Sequence, residues 1–186
     1  MNFMKQAFLC ANRARQHDDV PIGAVIVRDG KIIARGENQV QMRKNPTLHA
    51  EIVAINRACK KLGTKFLDGC DIYVSLEPCA MCATAISLAR IKNIYFAAPD
   101  AKGGGITSNA KIYETDQHLW KPNVYQMPEY SDQSAQLLKD FFPLGILTIF
   151  FSSSPPPATF ACISASSSFW IMASRRALSS AESKFC

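Results

Sequence analysis

Histidine is scarce in this chain, and its one short cysteine motif has no second copy. The 186 residues contain three histidines, at positions 17, 49 and 118, and one C-x-x-C pair, Cys79 and Cys82. The absence of a second C-x-x-C and of any H-x-x-x-H excludes the common structural zinc sites that two such motifs build. A metal site here must therefore take its remaining ligand from elsewhere in the chain.

Long apolar runs and an even number of cysteines are also missing. The apolar stretch LGILTIFF at 144–151 is too short to span a bilayer, which takes roughly 20 residues. The opening MNFMKQAF lacks the apolar segment of a signal peptide, and the cysteines number seven. We therefore expect a protein of the reducing cytoplasm, with no membrane partner and no disulfide framework.

Charged residues are absent between Phe141 and Ser174, a segment that contains serine and proline clusters. This change predicts a domain at 1–142 and a Ser/Pro-rich, mostly uncharged tail at 143–186, which we expect to be poorly ordered. An interfacial or partner-binding segment would fit the same composition. So would an aberrant C-terminus, such as the product of a shifted reading frame.

The remaining composition is that of a globular protein, with 48% apolar and 19% charged residues. A net charge of +6 permits an acidic partner such as nucleic acid without requiring one. Hydrophobic periodicity predicts a mixed five-stranded sheet with helices on both faces, and Thr47 as the N-cap of the second helix. The predicted strands are 22–27, 31–36, 71–76, 93–98 and 123–127, and the helices are close to 3–16, 48–62, 79–89 and 131–142.

A metal site is predicted where loops lead into helices. His49 lies at the start of the second helix, and Cys79 and Cys82 lie at the start of the third. In an α/β sheet such points gather at one edge, where ligand sites tend to lie. Three ligands leave one tetrahedral position open for water, as in catalytic rather than structural zinc sites. Cys70 is the only rival ligand nearby, and we expect it to be buried just before a strand.

Glu51 adds a proton-transfer group to this predicted site. In the first helical turn it can face the same metal as His49, where it could act as general base and then as general acid. Each part alone has a plainer explanation, since many C-x-x-C pairs are structural or redox sites and most helical glutamates are solvated. Together, H-A-E at 49–51 and P-C-A-M-C at 78–82 match the H-x-E and P-C-x-x-C signature of zinc nucleobase deaminases.

From about residue 3 to Phe142 the chain resembles the bacterial tRNA-specific adenosine deaminases, a family of the cytidine/deoxycytidylate deaminase-like superfamily. The resemblance lies in VPIGAVIV, NPTLHAEI, YVSLEPCAMCATAI, APDAKGGG and LLKDFF. It implies a homodimer of three-layer α/β/α subunits, each with one Zn²⁺. It also implies hydrolysis of the wobble adenosine of a tRNA anticodon loop to inosine, with release of ammonia.

The resemblance assigns roles to individual residues. It implies that His49, Cys79 and Cys82 bind zinc and that Glu51 shuttles protons. It further implies substrate contacts by Asn38, the Ala50 backbone, Ile22 with Val20 and Pro21, and Asp100, the last near the ribose of a flanking nucleotide. Without the resemblance, Asn38 and Asp100 are read as turn residues and Ile22 as a core residue.

Two features depart from the family pattern. Leu48 stands where a small residue is usual, and Pro143 with its uncharged tail replaces a basic helix end that suits tRNA phosphates. The net charge on 1–142 is only +4, which is modest for a tRNA-binding protein. Candidate phosphate contacts, which could also be plain solvated surface, are Lys5, Arg13, Arg15, Arg43, Lys44 and Lys102.

Two other functions fit the same motifs. One is the same chemistry on a free base or nucleoside such as guanine, cytosine or cytidine; VPIGAVIV followed by APDAKGGG favours the RNA substrate over it. The other is a catalytically silent, deaminase-shaped binding protein with structural zinc. The presence of Glu51 and the lack of a fourth ligand argue against that second possibility.

Overall fold

The computed structural model describes residues 2–115 and 120–142. His118 and the predicted tail at 143–186 lie outside these residues. The helices are α1 (Phe3–Arg15), α2 (Val40–Arg43), α3 (Ala50–Leu62), α4 (Ala80–Leu88), α5 (Ile112–Thr115) and α6 (Ser131–Phe141), with a 3₁₀ turn at Pro128–Tyr130. The strands are β1 (Gly23–Arg28), β2 (Lys31–Glu37), β3 (Asp71–Leu76), β4 (Asn93–Ala98) and β5 (Asn123–Gln126).

The strands form one mixed sheet in the order β2-β1-β3-β4-β5. β1 pairs antiparallel with both β2 and β3, whereas β3, β4 and β5 run parallel. The β1–β2 hairpin turns through Asp29 and Gly30, whose φ angles of 50° and 71° suit the turn that joins two twisted strands. The parallel pair β3–β4 needs a crossover, which α4 supplies.

Helices cover both faces of this sheet, as predicted. The larger core packs α3 and α4 against inward residues of β3 and β4 such as Ile72 and Phe96. On the other face, α1 packs Met4 and Phe8 against β1, and α6 adds Leu137 to the same cluster. The mixed five-stranded sheet and the three layers are therefore confirmed.

The prediction of Thr47 as a helix cap was wrong. His49 is the N-cap of α3, while the Thr47 hydroxyl donates to the Asn45 side-chain oxygen at 2.8 Å. The sequence pattern also missed α2 and α5, because four residues are too few to show helical periodicity. The prediction that Cys70 is buried immediately before β3 is confirmed.

A close approach of backbones positions the start of α3. A Cβ on Gly36 of β2 would lie 2.1 Å from the Ala50 carbonyl oxygen and 2.7 Å from the Ala54 nitrogen. Only glycine allows α3 to lie so near the strand. Within the described residues, no helix is long and apolar enough to cross a membrane.

Candidate metal centre and active site

The predicted metal ligands lie at the N-terminal ends of two helices. His49 is the N-cap of α3 and Cys79 is the N-cap of α4, and neither side chain makes a capping hydrogen bond. Cys82 is fully buried in the first turn of α4. The partial positive charge of both helix ends favours thiolates at this place. The sheet thus brings together His49 and the two cysteines, which follow two separate loops.

The three side chains have the spacing of a tetrahedral zinc site. The Nδ1 atom of His49 lies 3.6 Å from the Cys79 Sγ atom and 3.5 Å from the Cys82 Sγ atom. Zn–N and Zn–S bonds of usual length place a nitrogen and a sulfur about 3.6 Å apart in a tetrahedron. These residues therefore fit a zinc ion without rearrangement.

No fourth protein ligand joins this group in the part of the chain that the structure describes. Among residues 2–115 and 120–142, His49, Cys79 and Cys82 form the single cluster of three or more potential metal ligands, and Cys70 is not part of it. The five described cysteines are all free thiols: Cys10, Cys59, Cys70, Cys79 and Cys82. A set of three ligands with an open position is the arrangement of catalytic zinc sites.

Electrostatics couple the thiols to the imidazole. The hydrogen bond from Cys82, together with that from His49, lowers the pKa of Cys79 to about 4, although burial opposes this. The same hydrogen bond and burial raise the pKa of Cys82. The hydrogen bond with Cys79 raises the pKa of His49 against the effect of burial. The site thus favours a thiolate at Cys79, the form in which cysteine binds a metal.

Glu51 is buried beside the ligands. Its side chain is only 3% exposed, and its Oε2 atom is buried without a hydrogen-bond partner in the described part of the chain. Burial raises the pKa of Glu51 to about 7, against the nearby His49 imidazole, which lowers it. A buried carboxylate oxygen without a partner is costly, and such atoms occur where a ligand or water is expected.

A cavity of about 560 Å³ opens onto this group. His49, Glu51 and Cys79 lie in its wall, as do three of the predicted substrate-binding residues, Ile22, Asn38 and Asp100, and also Val20. The remaining predicted contacts, Ala50 and Pro21, are buried and are not among its lining residues. Leu48, which departs from the family pattern, does not line the cavity either.

The predicted contacts differ in their own hydrogen bonds. The Asn38 backbone N–H donates to the Ile22 carbonyl at 3.0 Å, which holds the two residues together at the cavity wall. The Asp100 Oδ1 atom accepts the N–H groups of Lys102 and Gly103 at 3.1 and 3.0 Å. Asp100 therefore closes the turn that the sequence suggested, while it also lines the cavity.

Glu77 is a lining residue that the sequence analysis missed. It is 3% exposed, lies between β3 and Cys79, and contacts the loop that follows β4. Burial raises the pKa of Glu77, but hydrogen bonds from Ser108 and from the N–H groups of Asp100, Thr107 and Ser108 outweigh it, so the pKa is lowered. A signal was available in the sequence, because Glu77 precedes the P-C-x-x-C motif directly.

Comparison with known proteins agrees with this geometry. Residues 1–98 match the family model described as the cytidine and deoxycytidylate deaminase zinc-binding region. The tRNA-specific adenosine deaminase of Aquifex aeolicus is 44% identical over 142 residues, which cover 75% of this chain and 91% of that protein. The chain belongs to the tRNA-specific adenosine deaminase family. The members of this family are hydrolytic deaminases that act on C–N bonds.

Two further comparisons place this deaminase among its relatives. A solved structure from a study of A-to-I editing by tRNA A34 deaminases at the wobble position shares 44% identity and a TM-score of 0.70. The match covers 73% of this chain and 98% of the chain in that structure. The guanine deaminase of Bacillus subtilis is 48% identical over 99 residues, or 52% of this deaminase and 64% of that protein.

Proposed function

We propose that this deaminase hydrolyses adenosine to inosine at the wobble position of a tRNA anticodon loop and releases ammonia. The observation that carries the proposal is the Oε2 atom of Glu51, which has no hydrogen-bond partner among the described residues and belongs to a cavity-lining side chain beside the His49, Cys79 and Cys82 cluster. An RNA substrate is supported by the relatives, since the tRNA-specific adenosine deaminase of Aquifex aeolicus matches 75% of the chain, whereas the guanine deaminase of Bacillus subtilis matches 52% of it. A loop nucleotide also leaves its stack at little cost.

Glu51 is the residue that we assign to proton transfer. Hydrolysis breaks the bond between C6 of the base and its amino nitrogen and forms a C6–O bond with water. The water gives up two protons in all: the first must reach the departing nitrogen, which leaves as ammonia, and the second ends on N1 of the inosine ring. The Glu51 carboxylate can accept the first proton and deliver it to the nitrogen.

His49, Cys79 and Cys82 would hold one zinc ion per subunit. When bound, zinc lowers the pKa of a water molecule and supplies a nucleophile at neutral pH. Both sulfurs suit that role once Cys82 is also deprotonated, because a bound zinc ion would compensate the charge of two buried thiolates.

Substrate binding is assigned to the cavity wall. We place the flipped purine against Ile22 and Val20, with the Asn38 side-chain amide as its hydrogen-bond partner, and a flanking ribose near Asp100. Contact of the base edge with the Ala50 backbone stays a prediction, since Ala50 does not line the cavity. Phosphate contacts by Lys5, Arg13, Arg15, Arg43, Lys44 and Lys102 also stay predictions.

The decisive experiment incubates zinc-loaded protein with a tRNA transcript that carries adenosine at the wobble position. We expect inosine at that position and an equal amount of ammonia. The matched control is the same transcript with guanosine there, which should release no ammonia. Failure to form inosine in the first transcript would reject the tRNA substrate.

Deamination of a free base or nucleoside is the second candidate, favoured by the similarity to the guanine deaminase of Bacillus subtilis. Guanine, cytosine and cytidine are the substrates to compare. Rapid ammonia release from one of them, with none from tRNA, would establish this function. A silent binding protein would release ammonia from neither class of substrate.

We also propose a homodimer that works in the cytoplasm. Helix α4 contains no charged residue, yet Met81 and Leu88 are 37% and 66% exposed on it. An uncharged helix with exposed large apolar side chains is normally covered, and a second copy of the chain would cover this one. The free thiols in the described residues suit a reducing compartment.

A further inference from the structure

The carboxylate of Glu77 holds a loop that forms one side of the cavity mouth. Its Oε2 atom accepts the Asp100 N–H at 3.0 Å and the Ser108 hydroxyl. Its Oε1 atom accepts the N–H groups of Ile106, Thr107 and Ser108 at 3.2, 2.7 and 3.0 Å, and the Thr107 hydroxyl at 3.2 Å. One side chain thus contacts both ends of the segment 100–108.

Every one of these contacts requires an acceptor on Glu77. An ionised carboxylate only accepts hydrogen bonds, whereas a glutamine side chain presents an NH₂ group in place of one oxygen. That NH₂ group would face N–H donors of the loop, because the backbone donors cannot reverse their role. The loop would then lose the acceptor at one end, and a buried donor without a partner is costly.

The loop held in this way carries substrate-facing residues. Asp100, Lys102 and Gly103 line the cavity together with Glu77 itself. The loop also lies close to the metal side of the site, since the Gly105 N–H donates to the Pro78 carbonyl at 2.8 Å. A Cβ on Gly104 would come 2.6 Å from the Glu77 carboxylate, so the loop and the carboxylate are in direct contact.

We infer that Glu77 is a positioning residue for substrate binding: it fixes the 100–108 loop so that the cavity wall at 100–103 is formed before substrate arrives. The inference rests on the proposed deaminase function. The hydrogen bonds of the Glu77 oxygens go to residues 100–108 rather than to His49, Cys79 or Cys82, so loss of the carboxylate acts directly on the substrate wall. The expected effect is therefore on KM rather than on kcat.

The test is Glu77→Gln in the full-length, zinc-loaded protein with the wobble-adenosine transcript. We expect KM to rise about tenfold, kcat to change by less than about twofold, and the zinc content to stay equal to that of the wild type. Asp71→Asn is the matched control, because Asp71 is a carboxylate at the opposite end of β3 whose side chain accepts a hydrogen bond from Asn93. It should leave both constants unchanged.

A purely structural role would give a different result. Partial unfolding of Glu77→Gln lowers the active fraction, which reduces kcat and leaves KM unchanged, and that outcome would overturn the inference. Unchanged KM and kcat would overturn it as well. If Glu77→Gln does not fold, Ser108→Ala removes only the hydroxyl donor and should raise KM about threefold; no change in KM there counts against the proposal.

Hydrogen exchange tests the loop without any substrate. In Glu77→Gln the amides of Asp100, Ile106, Thr107 and Ser108 should exchange at least about tenfold faster than in the wild type, while those of β3 keep their protection. Faster exchange supports the inference, and unchanged exchange overturns it, whatever the RNA assay shows about the proposed function. If only the proposed tRNA deaminase function is wrong, the wild-type protein will form no inosine, while the exchange difference between wild type and Glu77→Gln will remain.

Discussion

The Sγ atom of Cys79 lies 3.6 Å from the Nδ1 atom of His49, although the two residues are thirty positions apart in the chain. The contact exists because α3 and α4 both begin at the same edge of the sheet, one after β2 and the other after β3. Their N-terminal ends place one nitrogen and two sulfurs at the separations that a single zinc ion requires.

Removal of a ligand should abolish metal binding. Cys82→Ala deletes one of the three proposed ligands, and the described residues offer no replacement, so we expect the zinc content to fall from the proposed one ion per chain to near zero. Elemental analysis after dialysis against a weak chelator measures this. Cys70→Ala is the control. Cys70 is buried but lies outside the cluster, so this variant should keep the zinc content of the wild type. Zinc loss in the control and retention in Cys82→Ala would contradict the assignment.

Loss of the Glu51 carboxylate should separate catalysis from metal binding. Glu51→Gln keeps the size of the side chain but removes the proposed proton acceptor, so kcat should fall by about 10²–10⁴-fold while the zinc content stays unchanged. Inosine formation and elemental analysis give the two values. Glu114→Gln changes an exposed carboxylate in α5 and should leave kcat as it is. An unchanged rate in Glu51→Gln would remove Glu51 from the mechanism.

A side chain at Gly36 should lower the free energy of unfolding more than a side chain at Gly63, because Gly36 lies against the backbone of α3. Gly36→Ala puts a methyl group 2.1 Å from the Ala50 carbonyl oxygen, and we expect a loss of about 3 kcal/mol or more in the free energy of unfolding. Gly63→Ala is the comparison: its φ is +65° and a Cβ there meets no atom within 4 Å, so the cost is only about 1–2 kcal/mol. Urea unfolding ranks the two variants, and the reverse order would refute the argument from close contact.

The apolar surface of α4 should control the association of two copies. Leu88→Glu places a charge on the exposed side of a helix that has none, and we expect the protein to become monomeric. Leu9→Glu on α1 is matched in chemistry and in exposure, at 53%, and should leave the dimer intact. Sedimentation velocity at equal concentrations distinguishes the two species. A wild-type protein that is already monomeric would disprove the dimer.

The strands and long helices could be read from the sequence with good accuracy. β3 and β4 coincide with the predicted 71–76 and 93–98, because short β-branched and aromatic runs bounded by turn residues have few other structures open to them. The error at Thr47 is of a different kind. Thr47 satisfies the local pattern for a cap, but its hydroxyl bonds to Asn45 and the helix begins at His49.

By itself the sequence determined which residue types could make the site: one histidine and two cysteines at the starts of two helices, and one glutamate in the first turn of α3. Those features depend on spacing and on helix geometry, which are local. Only the tertiary structure decided that Glu51 keeps one buried oxygen without a partner among residues 2–115 and 120–142, and that Glu77 anchors the loop at 100–108. Both outcomes depend on which backbone groups reach a carboxylate from distant segments. No local pattern encodes them, because hydrogen-bond partners and burial follow from the packing of the whole chain.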